Sequence, residues 1–136
     1  FSEESEIIYK TQGLEAFIKY EKQNALSPMK TGPFAQLLRV ISNIQAKYNE
    51  EQTPIRTALI TARNSPAHER VIRTLSQWGV RLDEAFFLGG VDKYEVVKAF
   101  GADIFFDDQD VHLENTSKVT PSAKVPYKKE SILNNI

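Results

Sequence analysis

The 136-residue chain contains no cysteine, which excludes disulfide scaffolds, zinc ribbons and thiol catalysis together. Histidine is scarce. His68 and His112 are the two, and neither lies in the HExxH or carboxylate–His spacing that signals a metal centre. An excess of charge is missing as well: 17 Lys and Arg face 18 Asp and Glu, for a formal net charge of -1. A dedicated nucleic-acid binder normally carries a basic surplus. No apolar run approaches the roughly 18 residues of a membrane span. No internal repeat or low-complexity tract is present, and no G-x-S-x-G elbow joins Ser65 and His68 into a hydrolase triad. The first ten residues, FSEESEIIYK, are acidic where a secretory signal is basic and then apolar. These absences predict a cytoplasmic protein with no membrane and no nucleic acid among its partners. The chain opens on Phe1, not Met, so residue 1 is expected not to be where translation started.

What is present is ordinary for a globular domain: 41% hydrophobic and 26% charged residues, in a length that suits one compact unit. A chain of this size buries roughly 68–70% of its unfolded surface. The first third reads as helical. Leu14, Phe17, Ile18 and Ala25 share helical spacing over Gly13 to Asn24. After Gly32-Pro33, the residues Phe34, Leu37, Leu38, Ile41, Ile44 and Tyr48 follow the 3/4 spacing of a helix packed on a core. The polar run Asn49 to Thr53 and Pro54 end it, which divides the chain into a helical segment, 1–53, and a second part, 54–136.

From Pro54 the pattern alternates. Ile55 to Ile60 is a strand candidate, followed by a helix capped by Ser65-Pro66, with Val71, Ile72 and Leu75 inward and Gly79 as its stop. Ala85 to Leu88 is a second strand. Asp92 caps a helix with Val96, Val97 and Phe100 inward, closed by Gly101. Asp103 to Phe106 is a third strand, and Ala123 to Val125 begins a fourth. This alternation predicts an α/β fold built from right-handed βαβ units with a parallel sheet covered on both faces. The lysines between Lys118 and Glu130 read as solvated surface.

Ligands of open α/β sheets sit outside the carboxyl ends of the strands. Past the first strand comes Thr61-Ala62-Arg63-Asn64-Ser65; past the second, Gly89-Gly90 and then Asp92-Lys93; past the third, Asp107-Asp108. A hydroxyl, a lysine and a carboxylate pair thus reach one edge from three strands. Hydroxyls and loop N–H groups hold phosphate oxygens, and Lys93 adds a point charge for the same anion. Adjacent carboxylates suit Mg²⁺, which takes hard oxygen ligands. Phosphoryl chemistry uses this combination. Each residue alone also has a plainer reading. Thr61 caps a turn, Lys93 is a surface lysine, Gly89-Gly90 is a turn, and Asp107-Asp108 is a turn acid pair or helix cap. Convergence on one edge favours the functional reading.

At TARNSPAHERVIRTLSQWGVRLDEAFFLGGVDK and GADIFFDDQ the sequence resembles the cytosolic type I 5′-nucleotidases, within the haloacid dehalogenase-like phosphohydrolases. The likeness runs from Phe1-Ser2-Glu3-Glu4-Ser5-Glu6 to Lys124-Val125-Pro126-Tyr127. It implies a three-layer sandwich with a parallel Rossmann-like sheet, capped by the helices before Pro54. It implies Thr61 as the phosphate-gripping hydroxyl and Lys93 as the lysine that stabilises the phosphoryl group and the nucleophile. Asp107 and Asp108 become the Mg²⁺ motif, with Asp108 the direct ligand, while Arg63, Asn64 and Ser65 fall in the loop of substrate contacts. The substrate implied is a nucleoside 5′-monophosphate. One departure concerns the lysine loop, where the family usually has Pro before and Gly after the lysine and this chain has Asp92 and Tyr94.

Family members attack phosphate with an Asp near the N-terminus, and a second Asp two residues later protonates the leaving nucleoside. Phe1-Ser2 resembles the residues immediately after that D-x-D, and the D-x-D at Asp108 to Asp110 belongs to the metal motif. The expectation is a sheet incomplete at its central N-terminal strand, with neighbours flanking a gap of about one strand, roughly 4.7–4.9 Å from each. The chain is then expected to be inactive alone, since loss of a nucleophile costs on the order of a millionfold. Three resolutions stand: the segment belongs to the natural protein outside these residues, the chain is a truncated relative, or a second copy lends a strand in a homodimer. The alternative function is a non-catalytic module that binds nucleotide or phosphate, or that assembles with itself.

Overall fold

The computed structural model describes residues 3–63 and 67–136. Five helices and four short strands alternate in an α/β arrangement. In chain order they are α1 (Glu4–Gln23), α2 (Ala35–Gln45), β1 (Ala58–Thr61), α3 (Ala67–Gln77), β2 (Glu84–Phe87), α4 (Tyr94–Phe100), β3 (Phe105–Asp107), α5 (Asp110–Thr116) and β4 (Ser122–Lys124), with 3-10 turns at Glu50–Gln52 and Ile132–Asn134.

The first helix differs most from the sequence reading. It begins at Glu4, not Gly13, and Gly13 sits inside it with φ 83° and ψ -178°. That backbone region is open essentially to glycine alone. In a straight helix, residues sixteen apart are separated by about 24 Å. Here Ser5 Oγ donates to Glu21 Oε1 at 2.5 Å, Tyr20 Oη donates to Glu4 Oε2 at 3.2 Å, and the Tyr9 and Phe17 rings meet edge to face at 5.9 Å. The helix therefore folds back at Gly13 into two arms, 4–12 and 14–23. Leu14, expected on an inner face, lies just after the turn and is exposed.

The second helix turns inward a face that overlaps only in part with the one its apolar spacing indicates, with Phe34, Leu38 and Ile41 half-buried. Ala35, Ser42 and Gln45 are buried and Leu38 packs against the core, whereas Leu37, Ile44 and Tyr48 are exposed. Partners explain the difference. Gln45 Nε2 donates to Ile55 O, Thr57 Oγ1 and Asp83 Oδ2 at 3.1–3.2 Å, and Ser42 Oγ accepts the Arg81 N–H at 2.9 Å. The Gln45 nitrogen is thus paired inside the protein, as a buried donor must be, while its Oε1 is buried with no hydrogen-bond partner. Asp83 also accepts the Thr57 N–H at 2.7 Å, so this cluster pins α2 to the starts of β1 and β2.

The strands form two parallel pairs. β1 lies beside β2 with Ala58 opposite Glu84 and Thr61 opposite Phe87, and β3 lies beside β4 with Phe105 opposite Ser122 and Asp107 opposite Lys124. No hydrogen-bonded ladder joins the two pairs among the described residues. The parallel pairing expected from the alternation is present within each pair, and Ala85, Ile104 and Phe106 keep exposed surface. Strand limits also move. β1 takes in Thr61, β2 starts one residue earlier at Glu84, and β3 runs on to Asp107. Helix α5 was not expected. Val71 and Leu75 of α3 are buried as anticipated, but Ile72 is exposed, and Ala67, Arg70 and Thr74 complete the inner face. The proposed Ser65-Pro66 cap lies outside the described residues. Gly101 closes α4 in a left-handed conformation, and the N-cap position falls on Lys93, not on the expected Asp92, which precedes it and accepts the Tyr94 N–H at 2.9 Å.

A small apolar core, Met29, Val71, Leu75 and Val80 with Leu38, Leu59, Trp78 and Leu82 around it, sits between α3, α2 and β1. Among the described residues, buried polar side chains are at least as numerous as buried apolar ones. Gly13→Ala is therefore expected to act through the backbone alone, since a Cβ there meets no neighbour within 4 Å. Chemical denaturation should show a loss of about 1–3 kcal/mol; an unchanged midpoint would refute the fold-back as a glycine-dependent turn.

Candidate functional site

Thr61 ends β1, and its Oγ1 accepts the backbone N–H of Arg63 at 3.3 Å. The loops after β1 and β2 are stitched together: Leu88 N–H donates to Thr61 O, and Gly90 N–H donates to Ala62 O, both at 2.9 Å. Gly89 and Gly90 both have positive φ, 60° and 91°, which lets the chain turn sharply into Asp92-Lys93. Lys93 then enters the interior. It is only 9% exposed, and its Nζ donates to Asp107 Oδ2 at 2.5 Å. Asp107 ends β3, is buried, and accepts the Gln109 N–H on its other oxygen at 2.9 Å. A buried lysine with a buried carboxylate is a pair, not the surface lysine of the plainer reading.

Around that pair the acids crowd. Burial, and then the Asp107 carboxylate beside it, push the Asp108 carboxyl above its usual range. Burial first and Asp108 second do the same to Glu6, whose Oε1 accepts from Gln109 Nε2 at 3.3 Å. Burial, and then the Asp108 and Glu6 charges, raise the Tyr127 phenol above its ordinary value. Burial and then Lys93 hold the His112 imidazole below its usual value. Glu6 comes from the first turn of α1, while Tyr127 comes from the tail after β4. Lys128 N–H donates to Glu3 at 2.7 Å and Val125 N–H donates to Asp107 O at 2.7 Å, so the tail is tied to both neighbours.

Arg63 approaches from the β1 side. Its Nη1 stands 3.4 Å from Glu21 Oε2, and its guanidinium lies over the Phe17 ring at 5.5 Å. Burial lowers its pKa against the opposing pull of Glu21, Glu6 and Asp108. His68, on the first turn of α3, packs on Phe87 with ring centres 4.1 Å apart, and its Nε2 lies 2.8 Å from Arg63 O.

Of the residues singled out from sequence, Lys93, Asp107 and Asp108 come together, with Arg63 within electrostatic reach of Asp108. Thr61 stands at the end of the adjoining strand, linked to Arg63. Asn64 and Ser65 lie outside the described residues. Sequence reading missed Glu6, Glu21, Gln109 and Tyr127. Gln109 was adjacent to a chosen motif, but the others are single polar residues on helices or in a tail and carry no spacing signal. The cluster can bind an anion through Arg63 and Lys93 and offer carboxylate oxygens to a cation.

The Glu6 shift has a definite sign. Its folded carboxyl holds a proton to higher pH than the unfolded one, so ionisation subtracts stability as pH rises through the raised value. Asp108, Asp107 and Tyr127 face it on the acidic side, and Lys10 and Arg63 on the basic side. Glu6→Gln should raise the denaturant midpoint at pH 7, and the gain should vanish below about pH 4, the ordinary glutamate range. A gain that persists undiminished at low pH would contradict this.

Comparison with known proteins bears on the whole chain. The family model described as 5′-nucleotidase matches residues 1–132. Human cytosolic 5′-nucleotidase 1B is 36% identical over 135 residues, an alignment covering 96% of this chain and 22% of the relative. The chain thus spans less than a quarter of the length of that curated relative. No solved structure matches it significantly. A family match across nearly every residue makes the chain a member of the 5′-nucleotidase family.

Proposed function

We propose that these residues form the phosphate-holding part of a Mg²⁺-dependent 5′-nucleotidase, a phosphoric monoester hydrolase acting on nucleoside 5′-monophosphates. The observation that carries this reading is the buried Lys93–Asp107 pair, with Asp108 beside it, at the end of β3, in a chain of this family. Thr61 grips a phosphate oxygen through its hydroxyl, and Lys93 offsets the phosphoryl charge. Arg63, with Asn64 and Ser65 following it, contributes substrate contacts.

The donor chemistry fits Mg²⁺. Asp107 and Asp108 are hard oxygen donors whose charges crowd each other, and Mg²⁺ typically takes one or two carboxylates with waters and phosphate oxygens. Two carboxylates are the protein's share in this reading, with Asp108 the direct ligand. Mg²⁺ bound there would offset charge on the transferring phosphoryl group. The Lys93–Asp107 bond keeps the ammonium at the strand end, and the Gln109 N–H fixes the other Asp107 oxygen.

A three-layer sandwich accommodates the two strand pairs. β1 and β3 each keep an edge without a ladder partner among the described residues, and a strand carrying the family's nucleophilic D-x-D would pair between them. It comes from the same polypeptide or from a second copy in a homodimer. The helices before Pro54 serve as the cap. Alone, these 136 residues bind a nucleoside monophosphate and hydrolyse it poorly or not at all, because none of them takes the nucleophile's role. A cytoplasmic location is supported by the relative's name.

Calorimetric titration of the chain with AMP and Mg²⁺ tests the binding half. Saturable heat is expected, and Thr61→Ala or Lys93→Ala should weaken binding about tenfold or more, the scale of a charge-assisted hydrogen bond. No heat with the unaltered chain would overturn the reading in favour of a structural role. Phosphate release from AMP that requires Mg²⁺ and is abolished by Asp108→Asn would overturn the prediction of inactivity.

A further inference from the structure

Among the described residues, one buried side-chain nitrogen lacks a hydrogen-bond partner, and it is Arg63 Nη1. A buried donor without an acceptor is costly and calls for an explanation, such as a ligand that completes it. The backbone of Arg63 and the face of its guanidinium are held. Its N–H meets Thr61 Oγ1 at 3.3 Å, its carbonyl lies 2.8 Å from His68 Nε2, and its guanidinium rests over Phe17. Its one ion pair among the described residues is with Glu21, at 3.4 Å, longer than a good charge-assisted hydrogen bond.

Glu21 is itself fully buried. One of its oxygens is taken twice, by Ser5 Oγ at 2.5 Å and Arg70 Nη1 at 2.9 Å. The other, Oε2, makes no hydrogen bond and faces Arg63. Arg70 is anchored separately by the Ser27 carbonyl at 2.9 Å and lies over Tyr20. One carboxylate thus stands between two arginines, and the nearer arginine already neutralises it. Phe17 and Glu21 are four residues apart on one helical arm, hence on one face, and that face clamps the Arg63 side chain. The arrangement orients Arg63 without saturating it.

We propose that Glu21 is a positioning residue that holds the Arg63 guanidinium ready for an incoming oxyanion, the phosphate group of a phosphate monoester. The inference rests on the phosphate-binding reading above and deepens it, because it makes the second arm of α1 part of the binding apparatus. Arg63 is the contacting group, and Glu21 acts through it.

The test is a double-mutant cycle on AMP affinity in the presence of Mg²⁺, measured on the full chain. Arg63→Gln should weaken binding about tenfold or more, and Glu21→Gln should weaken it comparably. The double variant should bind no more weakly than Arg63→Gln alone, since Glu21 has nothing to act on once the guanidinium is gone. A purely structural role predicts instead that the two losses multiply, and that outcome overturns the inference. So does wild-type affinity in Glu21→Gln. Because removing a buried charge between two arginines endangers folding, Glu21→Asp is the companion variant. It keeps the charge, shortens the reach to Arg63, and should lose affinity only while Arg63 is present. If the unaltered chain binds no AMP, the phosphate-binding reading and this inference fail together. If it binds AMP and Arg63→Gln binds equally well, only the inference fails.

Discussion

A carboxylate with no exposure to water must find its charge partners inside the protein, and Glu21 does so only because α1 folds back at Gly13. Removing a single partner from a buried ion pair costs several kcal/mol, on the order of 3–5, because the remaining charge is stranded. Glu21 therefore constrains everything that touches it. Ser5 fixes the first arm of α1 against the second, Arg70 fixes α3 against both, and Arg63 brings in the loop after β1. An apolar side chain at position 21 would pack in many ways. A charge that needs Ser5 and Arg70 at hydrogen-bonding distance admits few, so the network sets where the arms and α3 meet.

The second half of the molecule is joined to the first by polar bonds and ring contacts together. β3, β4, α4 and α5 pack among themselves, and β1 pairs only with β2. Contacts that cross between them include the Gln109–Glu6 and Lys128–Glu3 hydrogen bonds, the tilted contact of Phe34 with Phe106 at 4.9 Å between centroids, the edge contact of Phe86 with Phe100 at 6.2 Å, and the Arg56 guanidinium over Phe100 at 4.9 Å. The candidate site lies along this seam. Its geometry therefore depends on how the two strand pairs are held, and a strand inserted between β1 and β3 would set that spacing directly.

Much of this order was legible in sequence, and the reasons for the rest are specific. The strand–helix alternation after Pro54 is local chemistry: Gly101 needs a left-handed φ, Asp92 needs a neighbouring N–H, and both act within two or three residues. Taking residues just past strands found Lys93, Asp107, Asp108 and Arg63 because strand ends converge by topology. Strand limits slipped by one to three residues because IRTALIT and ADIFFD are apolar or β-prone throughout, and pairing alone decides where the ladder starts. Glu21 and Glu6 were invisible since an acid on a helix normally marks the solvated face. Only the turn at Gly13 brings position 21 back to position 5, and a single glycine in a helical pattern does not announce a reversal. The apolar stripe Leu37, Ile44 and Tyr48 misled for the converse reason. Spacing identifies a face, but Gln45 and Ser42 found acceptors and donors on β1 and β2, and those partners determined which face went in.

The charge balance of the site connects the fold-back of α1 to the seam between the strand pairs. Four carboxylates, Glu6, Glu21, Asp107 and Asp108, share the region with three cations, Arg63, Arg70 and Lys93. Arg70 answers Glu21 and Lys93 answers Asp107, at 2.9 Å and 2.5 Å. Glu6 and Asp108 are left without a cation at ion-pair distance among the described residues, and both are pushed toward the protonated form. Arg63 is left with a donor unspent. A site in this state favours a cation at its acidic end and an anion at its basic end, and one alone would sharpen the imbalance at the other. Phosphate with a divalent metal supplies both signs in one ligand set, so the two unsatisfied halves of the cluster are expected to bind them cooperatively, each raising the affinity for the other.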